Sequence, residues 1–155
     1  MNFFKKMLHY VEPEGIPFPG SIIYDKIMQN FDLYDLLLQK IAESDLISNI
    51  KGTILDVGTG PARLPIYIIQ NNPACKVVGL DVSSSMIHLA AQNIQKAKLP
   101  NTIYLKTGNV SELPFPDQSF NFIISTGSFH HWKLPITAFN EIYRVLKYNS
   151  EAWIF

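Results

Sequence analysis

Two aspartates, Asp56 and Asp81, stand where apolar runs give way to small and polar residues, and a histidine pair stands at positions 130 and 131. Asp56 lies in Ile54-Leu55-Asp56-Val57, which reads as a short buried strand, and Gly58-Thr59-Gly60 follows at once. Gly58 and Gly60 can take backbone angles closed to other residues, so the chain can turn sharply and bring its amides close to a ligand. Asp56 then falls at the carboxyl end of a strand, the edge at which open α/β sheets bind ligands. Val77-Val78-Gly79-Leu80 reads as a second buried strand and puts Asp81 at its tip, where an acid accepts hydrogen bonds from ribose hydroxyls. Asp81 could instead cap the helix introduced by Ser83-Ser84-Ser85. A lone Gly-x-Gly marks many ordinary turns, but two matched elements at this spacing favour a nucleoside-type ligand.

Which nucleoside is partly decided by what is missing. A dinucleotide fingerprint needs a third small residue where the helix packs on the strand, and here Gly58-x-Gly60-x-x-Arg63 places an arginine there. No Gly-Lys-Ser/Thr occurs, which excludes a phosphate-cradling P-loop. The ordered stretches Ile54 to Arg63, Val77 to Met86, Gly108 to Phe122, Ser125 to Trp132 and Glu141 to Lys147 resemble those of class I S-adenosylmethionine-dependent methyltransferases. The likeness is to the small-molecule branch that includes quinone-biosynthesis enzymes.

The resemblance implies a Rossmann-like, doubly wound α/β sheet, mainly parallel, in a single domain over 1–155. Residues 1–50 would form an arm and cap helices, and 51–155 the donor-binding core. It implies S-adenosylmethionine as donor, held by Asp56, Gly58, Thr59 and Gly60 at the first turn and by Asp81 and Val82 at the second. Met86 would lie beside the adenine, although methionine at such helical spacing is as often core. Asn109 and Val110 would meet the adenine edge; Asn109 replaces the acid common there, and its amide oxygen still accepts, without the charge. The backbone at Ser125 and Thr126 would hold the methionine end, and the apolar residues of Leu113-Pro114-Phe115 could cover the adenine. The implied chemistry is direct attack on the sulfonium methyl by an oxygen, nitrogen or carbon of a small molecule, with no metal needed.

His130 is the candidate general base, because histidine titrates near neutrality. A histidine that bonds loop backbone or shapes the pocket is the favoured alternative. No other ligand lies at metal spacing nearby, so no zinc site is expected.

The elements that must position these residues follow from periodicity and punctuation. Residues 1 to about 20 hold three prolines and two glycines and read as an extended arm. Ser21 caps a helix through Asn30, and Asp32 caps another carrying Leu33, Leu36, Leu37, Ile41 and Ala42. Tyr24 and Phe31 are lid candidates, or plain sheet-packing aromatics. Pro61 suits the first position of a helix running to about Asn71. Ser83 or Ser84 caps a helix carrying Met86, Ala90 and Ile94. Ile103-Tyr104-Leu105 and Phe120 to Ile124 form two more strands, the latter beside the first. Ala138 to Lys147 forms an amphipathic helix with a surface Glu141–Arg144 pair.

Ala152 to Phe155 starts a fifth strand, preceded by Tyr148-Asn149-Ser150 where the family has a proline-glycine turn. The family adds a further helix and two strands, so a shortened member is expected, with a bare apolar strand open to oligomer pairing.

The chain has 155 residues, 47% of them hydrophobic, enough for one sizeable core. Thirteen basic residues balance thirteen acidic ones without a basic cluster, which argues against nucleic acid as the partner. The single cysteine, Cys75, cannot form an internal disulfide and fits a reducing cytoplasm. The start lacks the apolar core of a signal peptide, and no run is long enough to span a bilayer. Two rival readings stay open: an NAD-dependent oxidoreductase, which shares the fold and Asp81, and a non-catalytic donor-binding or partner subunit.

Overall fold

The computed structural model describes residues 32–99 and 101–155; the expected arm, the helix from Ser21, and Tyr24 and Phe31 lie outside them. Short runs rich in Ile, Val and Phe become strands, and runs with helical spacing of apolar residues become the helices between them. In chain order they are α1 (Asp32–Ala42), α2 (Asp45–Asn49), β1 (Thr53–Val57), α3 (Arg63–Asn71), β2 (Lys76–Asp81) and α4 (Ser84–Lys96). Then come β3 (Ile103–Thr107), β4 (Phe120–Ser125), a 3-10 turn (Phe129–His131), α5 (Pro135–Val145) and β5 (Leu146–Ile154).

The strands lie in the order β3-β2-β1-β4-β5, and every pairing is parallel. Helices cover both faces, as parallel strands with two apolar sides require. On one face Leu38, Ile41, Ile47, Leu64, Ile68, Ala90 and Ile94 pack on Ile54, Val77, Ile103 and Phe122. On the other, Ala138, Ile142 and Val145 of α5 pack on Leu55, Val57, Leu80 and Ile123. The expected doubly wound α/β sheet is therefore the observed one. Because all strands run one way, their carboxyl ends gather on one edge, and the loops that leave it carry the candidate residues.

The opposite edge is tied by one side chain. Asn121 Oδ1 accepts the Thr53 amide at 3.0 Å and Lys147 Nζ at 3.0 Å, joining β1, β4 and β5. A side chain on Gly52 would overlap Asn121, so glycine leaves the room this bond needs.

Three expectations need correction. Pro61 does not open α3: the helix begins at Arg63, and its N-cap is Ala62, at φ 61 in the left-handed region. The Gly58–Gly60 turn carries the chain two residues further than the proline rule supposes. The last helix ends at Val145 rather than Lys147, because Leu146 is already extended and pairs with Phe120. Consequently β5 starts at Leu146, well before Ala152; Asn149, at φ 60, absorbs the register shift before Phe122 meets Glu151. Asparagine tolerates that region better than most residues. Among the described residues no helix is long and apolar enough to cross a membrane.

The end of α4 shows how sequence stops a helix. Lys98 N–H bonds Gln95 O at 3.0 Å and Leu99 N–H bonds Ile94 O at 3.2 Å, with Lys98 at φ 59. This double bond pattern normally recruits glycine at the left-handed position. Lys98 is exposed there, so its Cβ strain is offset by no packing. Lys98→Gly should raise stability by roughly 0.5–1 kcal/mol and the melting temperature by about 2 °C. Calorimetry checks this, and an unchanged or lower melting point would refute the strain.

Candidate active site

The glycine turn is folded back onto β2 by a short set of bonds. Leu80 O accepts both Gly58 N–H at 2.8 Å and Thr59 N–H at 2.9 Å. Asp81 then splits its carboxylate: Oδ2 accepts Gly60 N–H and Oδ1 accepts Ser83 N–H, both at 2.9 Å. Gly108 N–H bonds Asp81 O at 3.0 Å and brings the third loop alongside. Gly79 matters for a reason its place in a strand conceals, since a Cβ there would stand 2.8 Å from Thr59 Oγ1. Burial raises the Asp81 carboxyl above its usual range, and the amide bonds from Ser83 and Gly60 oppose that rise. The capping role and the ligand role are thus compatible, because each oxygen keeps a lone pair beyond its amide bond.

These turns border a cleft of about 1160 Å³ with its open mouth. Asp56, Gly58, Thr59, Gly60, Asp81, Val82, Met86, Asn109, Val110 and Thr126 all line it. Ser125 does not; it is fully buried behind the wall, its Oγ 2.6 Å from Ser128 Oγ. His130 does not line the cleft either, whereas His131 does, beside Trp132 and Lys133. The 3-10 turn decides between the two histidines, and sequence carried no signal of its phase. Partial burial first, and then the neighbouring His130, lower the His131 pKa below its usual value, so its imidazole is neutral at neutral pH.

Asp56 is the most unusual group. It is 2% exposed, and among the described residues neither its Oδ1 nor Thr59 Oγ1 has a hydrogen-bond partner. Burial above all, with the Asp81 charge adding to it, pushes its pKa up to about 7. Native proteins seldom leave buried polar atoms without partners, so an orphan facing a cleft points to a missing ligand.

Asn109 Oδ1 accepts the Ser111 amide at 2.8 Å, so its oxygen is partly committed to its own loop. The expectation that Leu113 and Phe115 cover a ligand fails. Leu113 is buried under α5, and Phe115 packs edge-on to Phe120 at 4.9 Å. Arg144 holds that loop down through Phe115 O at 2.8 Å, Leu113 O at 3.0 Å and Asp117 at 2.9 Å, while gripping Glu141 at 2.7 Å. The pair expected merely on the helix surface is therefore a loop anchor.

The cover comes from α1 instead. Tyr34 and Leu38 line the cleft, and the Tyr34 hydroxyl lies against the Gly127 loop, 3.5 Å from where a Cβ on that glycine would stand. Asp35 fastens α1 to α3 by accepting the Tyr67 hydroxyl at 2.6 Å and pairing with Arg63 at 3.7 Å. Arg63 thus does more than replace a glycine. Tyr34 was missed because a lone tyrosine in an amphipathic helix looks like core. Among the described residues no group of metal-ligating side chains could hold an ion.

The methyltransferase domain family matches residues 55–154. A demethylmenaquinone methyltransferase of Lactiplantibacillus plantarum is 29% identical over 81% of this chain and 56% of its own length. One from Listeria welshimeri is 36% identical over 63% of this chain and 42% of its own. Among solved structures, a Methanococcus maripaludis protein classed by inference as an S-adenosyl-L-methionine-dependent methyltransferase superposes with TM-score 0.79 at 33% identity, covering 87% of this chain and 61% of that one. The chain spans about half the length of the curated relatives it matches. Glycine turn, strand-tip acids and strand order all fall within the matched region, and the chain belongs to the methyltransferase domain family.

Proposed function

We propose that this chain binds S-adenosylmethionine in the cleft and transfers its methyl group to a small molecule, with demethylmenaquinol, the reduced form of demethylmenaquinone, the first acceptor to try. The observation that carries the reading is the buried Asp56 carboxylate with no partner for Oδ1, at the floor of the cleft beside the glycine turn. A buried carboxyl poised near neutrality is held ionised by a neighbouring cation, and the donor brings two, an ammonium and a sulfonium. A dinucleotide would instead set its pyrophosphate at the glycine turn beside Asp56, with the guanidinium of Arg63 already paired to Asp35. The second oxygen lone pairs of Asp81 suit a ribose diol, and Met86 and Val110 offer apolar surface to an adenine. Val82 and Asn109 border the same region, and Thr126 stands at the methionine end.

When bound, the donor would supply a methyl carbon to an electron pair of the acceptor, a ring π pair in a quinol, while the C–S bond electrons go to sulfur. The protein's part is alignment and exclusion of water. Tyr34, Leu38, His131 and Trp132 all line the cleft and narrow its access to water. The neutral His131 imidazole can take the one proton the acceptor releases, from oxygen or nitrogen or, for a quinol methylated on carbon, from its hydroxyl or ring C–H. His131 is our choice of base over His130 on position alone. The buried, unbridged Cys75 supports a reducing, cytoplasmic setting.

A thermal melt of the 155-residue chain tests the donor. S-adenosylhomocysteine at about 100 times its Kd should add about 2.7 kcal/mol, a rise of several degrees. NAD should give none, and Asp81→Ala should abolish the shift. A cooperative melt indifferent to S-adenosylhomocysteine would overturn the reading in favour of a partner subunit.

Asp56 makes a second prediction, whose sign follows from its raised pKa. Between the ordinary carboxyl value and about 7 the folded chain holds a proton that the unfolded chain has lost. Ligand-free stability from this group is therefore complete below the unfolded pKa and is lost as pH rises towards 7. Asp56→Asn should flatten that fall and weaken S-adenosylmethionine binding. Urea titrations at several pH values measure it; parallel curves for both proteins would exclude the buried charge.

A further inference from the structure

Ser128 is engaged on every side. Its hydroxyl donates to Val57 O at 3.1 Å and accepts the Trp132 indole N–H at 3.2 Å, and Ser125 Oγ lies 2.6 Å away. A hydroxyl has one proton and two lone pairs. With that proton on Val57 and one lone pair taken by Trp132, Ser125 must donate to the other, and the oxygen is saturated. One atom thus joins the end of β1, the end of β4 and the loop beyond the 3-10 turn.

The backbone repeats the connection. His131 N–H bonds Ser128 O at 2.9 Å, and Trp132 N–H bonds Phe129 O at 3.1 Å. Gly58 meets the same residue from the donor side: at φ 74, a side chain on it would overlap that of Ser128. Trp132 is held at its ring by Phe129 at 5.2 Å and Phe139 at 5.8 Å, both edge-on, and at its polar end by Ser128. Ser128 lines the cleft, yet has neither proton nor lone pair left for an acceptor, so any influence it has is geometric.

We propose that Ser128 is a positioning residue that sets the Trp132–His131 wall against the Gly58 turn and so fixes where the acceptor lies relative to the transferred methyl. The inference rests on the methyltransferase reading. It separates two affinities: losing Ser128 frees the acceptor wall while Asp81 and the glycine turn still hold the donor.

The test compares wild type, Ser128→Ala, Trp132→Phe and the double variant, with S-adenosylhomocysteine binding by calorimetry and KM for a short-chain demethylmenaquinol. Donor Kd should stay within about twofold, the scatter of independent sites. The KM for the quinol should rise about tenfold in either single variant, the factor carried by one net hydrogen bond. The double variant should be no worse than either, since both break one link. In a Trp153→Phe background, ligand-free Trp132 emission should change on Ser128→Ala.

Equal losses in donor and acceptor affinity, additive losses in the double variant, or unchanged Trp132 emission would each overturn the proposal. Should Ser128→Ala fail to fold, Trp132→Phe still breaks the link, and an unaltered quinol KM there overturns it. A wild type that binds no S-adenosylhomocysteine overturns the methyltransferase reading instead, while the ligand-free emission still decides on Ser128.

Discussion

The site depends on how Asp81 shares its carboxylate between two backbone amides, Gly60 and Ser83. Each bond has a charged acceptor in a mostly buried setting, where such bonds contribute more than neutral ones, roughly 1.5–3 kcal/mol. They also settle the conformation. Two left-handed glycines give the turn many paths, and Asp81 selects the one that lays it across Gly79. The Leu80 carbonyl, accepting two amides, finishes the fold-back. Asp56 is then left at the bottom of the opening with an unmet oxygen. Structure and binding thus draw on one group, which is why the ligand-facing acid is also the helix-side acid.

On the other face, Arg144 performs a comparable task by spreading its donors. The planar fork grips Glu141 through two nitrogens, and the remaining donors reach two loop carbonyls and Asp117. Lysine has neither the number of donors nor their fixed plane. Glu141 answers by accepting the Leu113 amide at 2.8 Å. The connection from β3 to β4 is thereby kept on the sheet without a helix of its own, clear of the cleft.

The strands and most helices were legible because their apolar spacing is set by burial, which sequence records directly. Both strand-tip acids were legible because the glycine turn and the Ser83 turn are punctuated by small residues. What escaped depended on geometry between distant segments. Ala62 takes a left-handed angle that alanine does not announce. The start of β5 was hidden because Leu146, Lys147 and Tyr148 suit a helix as readily as a strand, and only Phe120 across the sheet decides. The choice of His131 over His130 follows from the phase of a three-residue turn. Tyr34 and Arg63 gained their places through Asp35 and Tyr67, contacts between helices that spacing along the chain does not encode.

The Asn121 tie at the amino edge has a mechanical consequence. Its oxygen serves Thr53 and Lys147 together, so the three strands are clamped at the edge away from the cleft. At the far ends of β1 and β4 the Ser128 hydroxyl makes a second tie, between Val57 O and Ser125. The two strands are therefore pinned at both margins, one side-chain oxygen at each, and the loops that border the cleft spring from a sheet whose two central strands are held at either end.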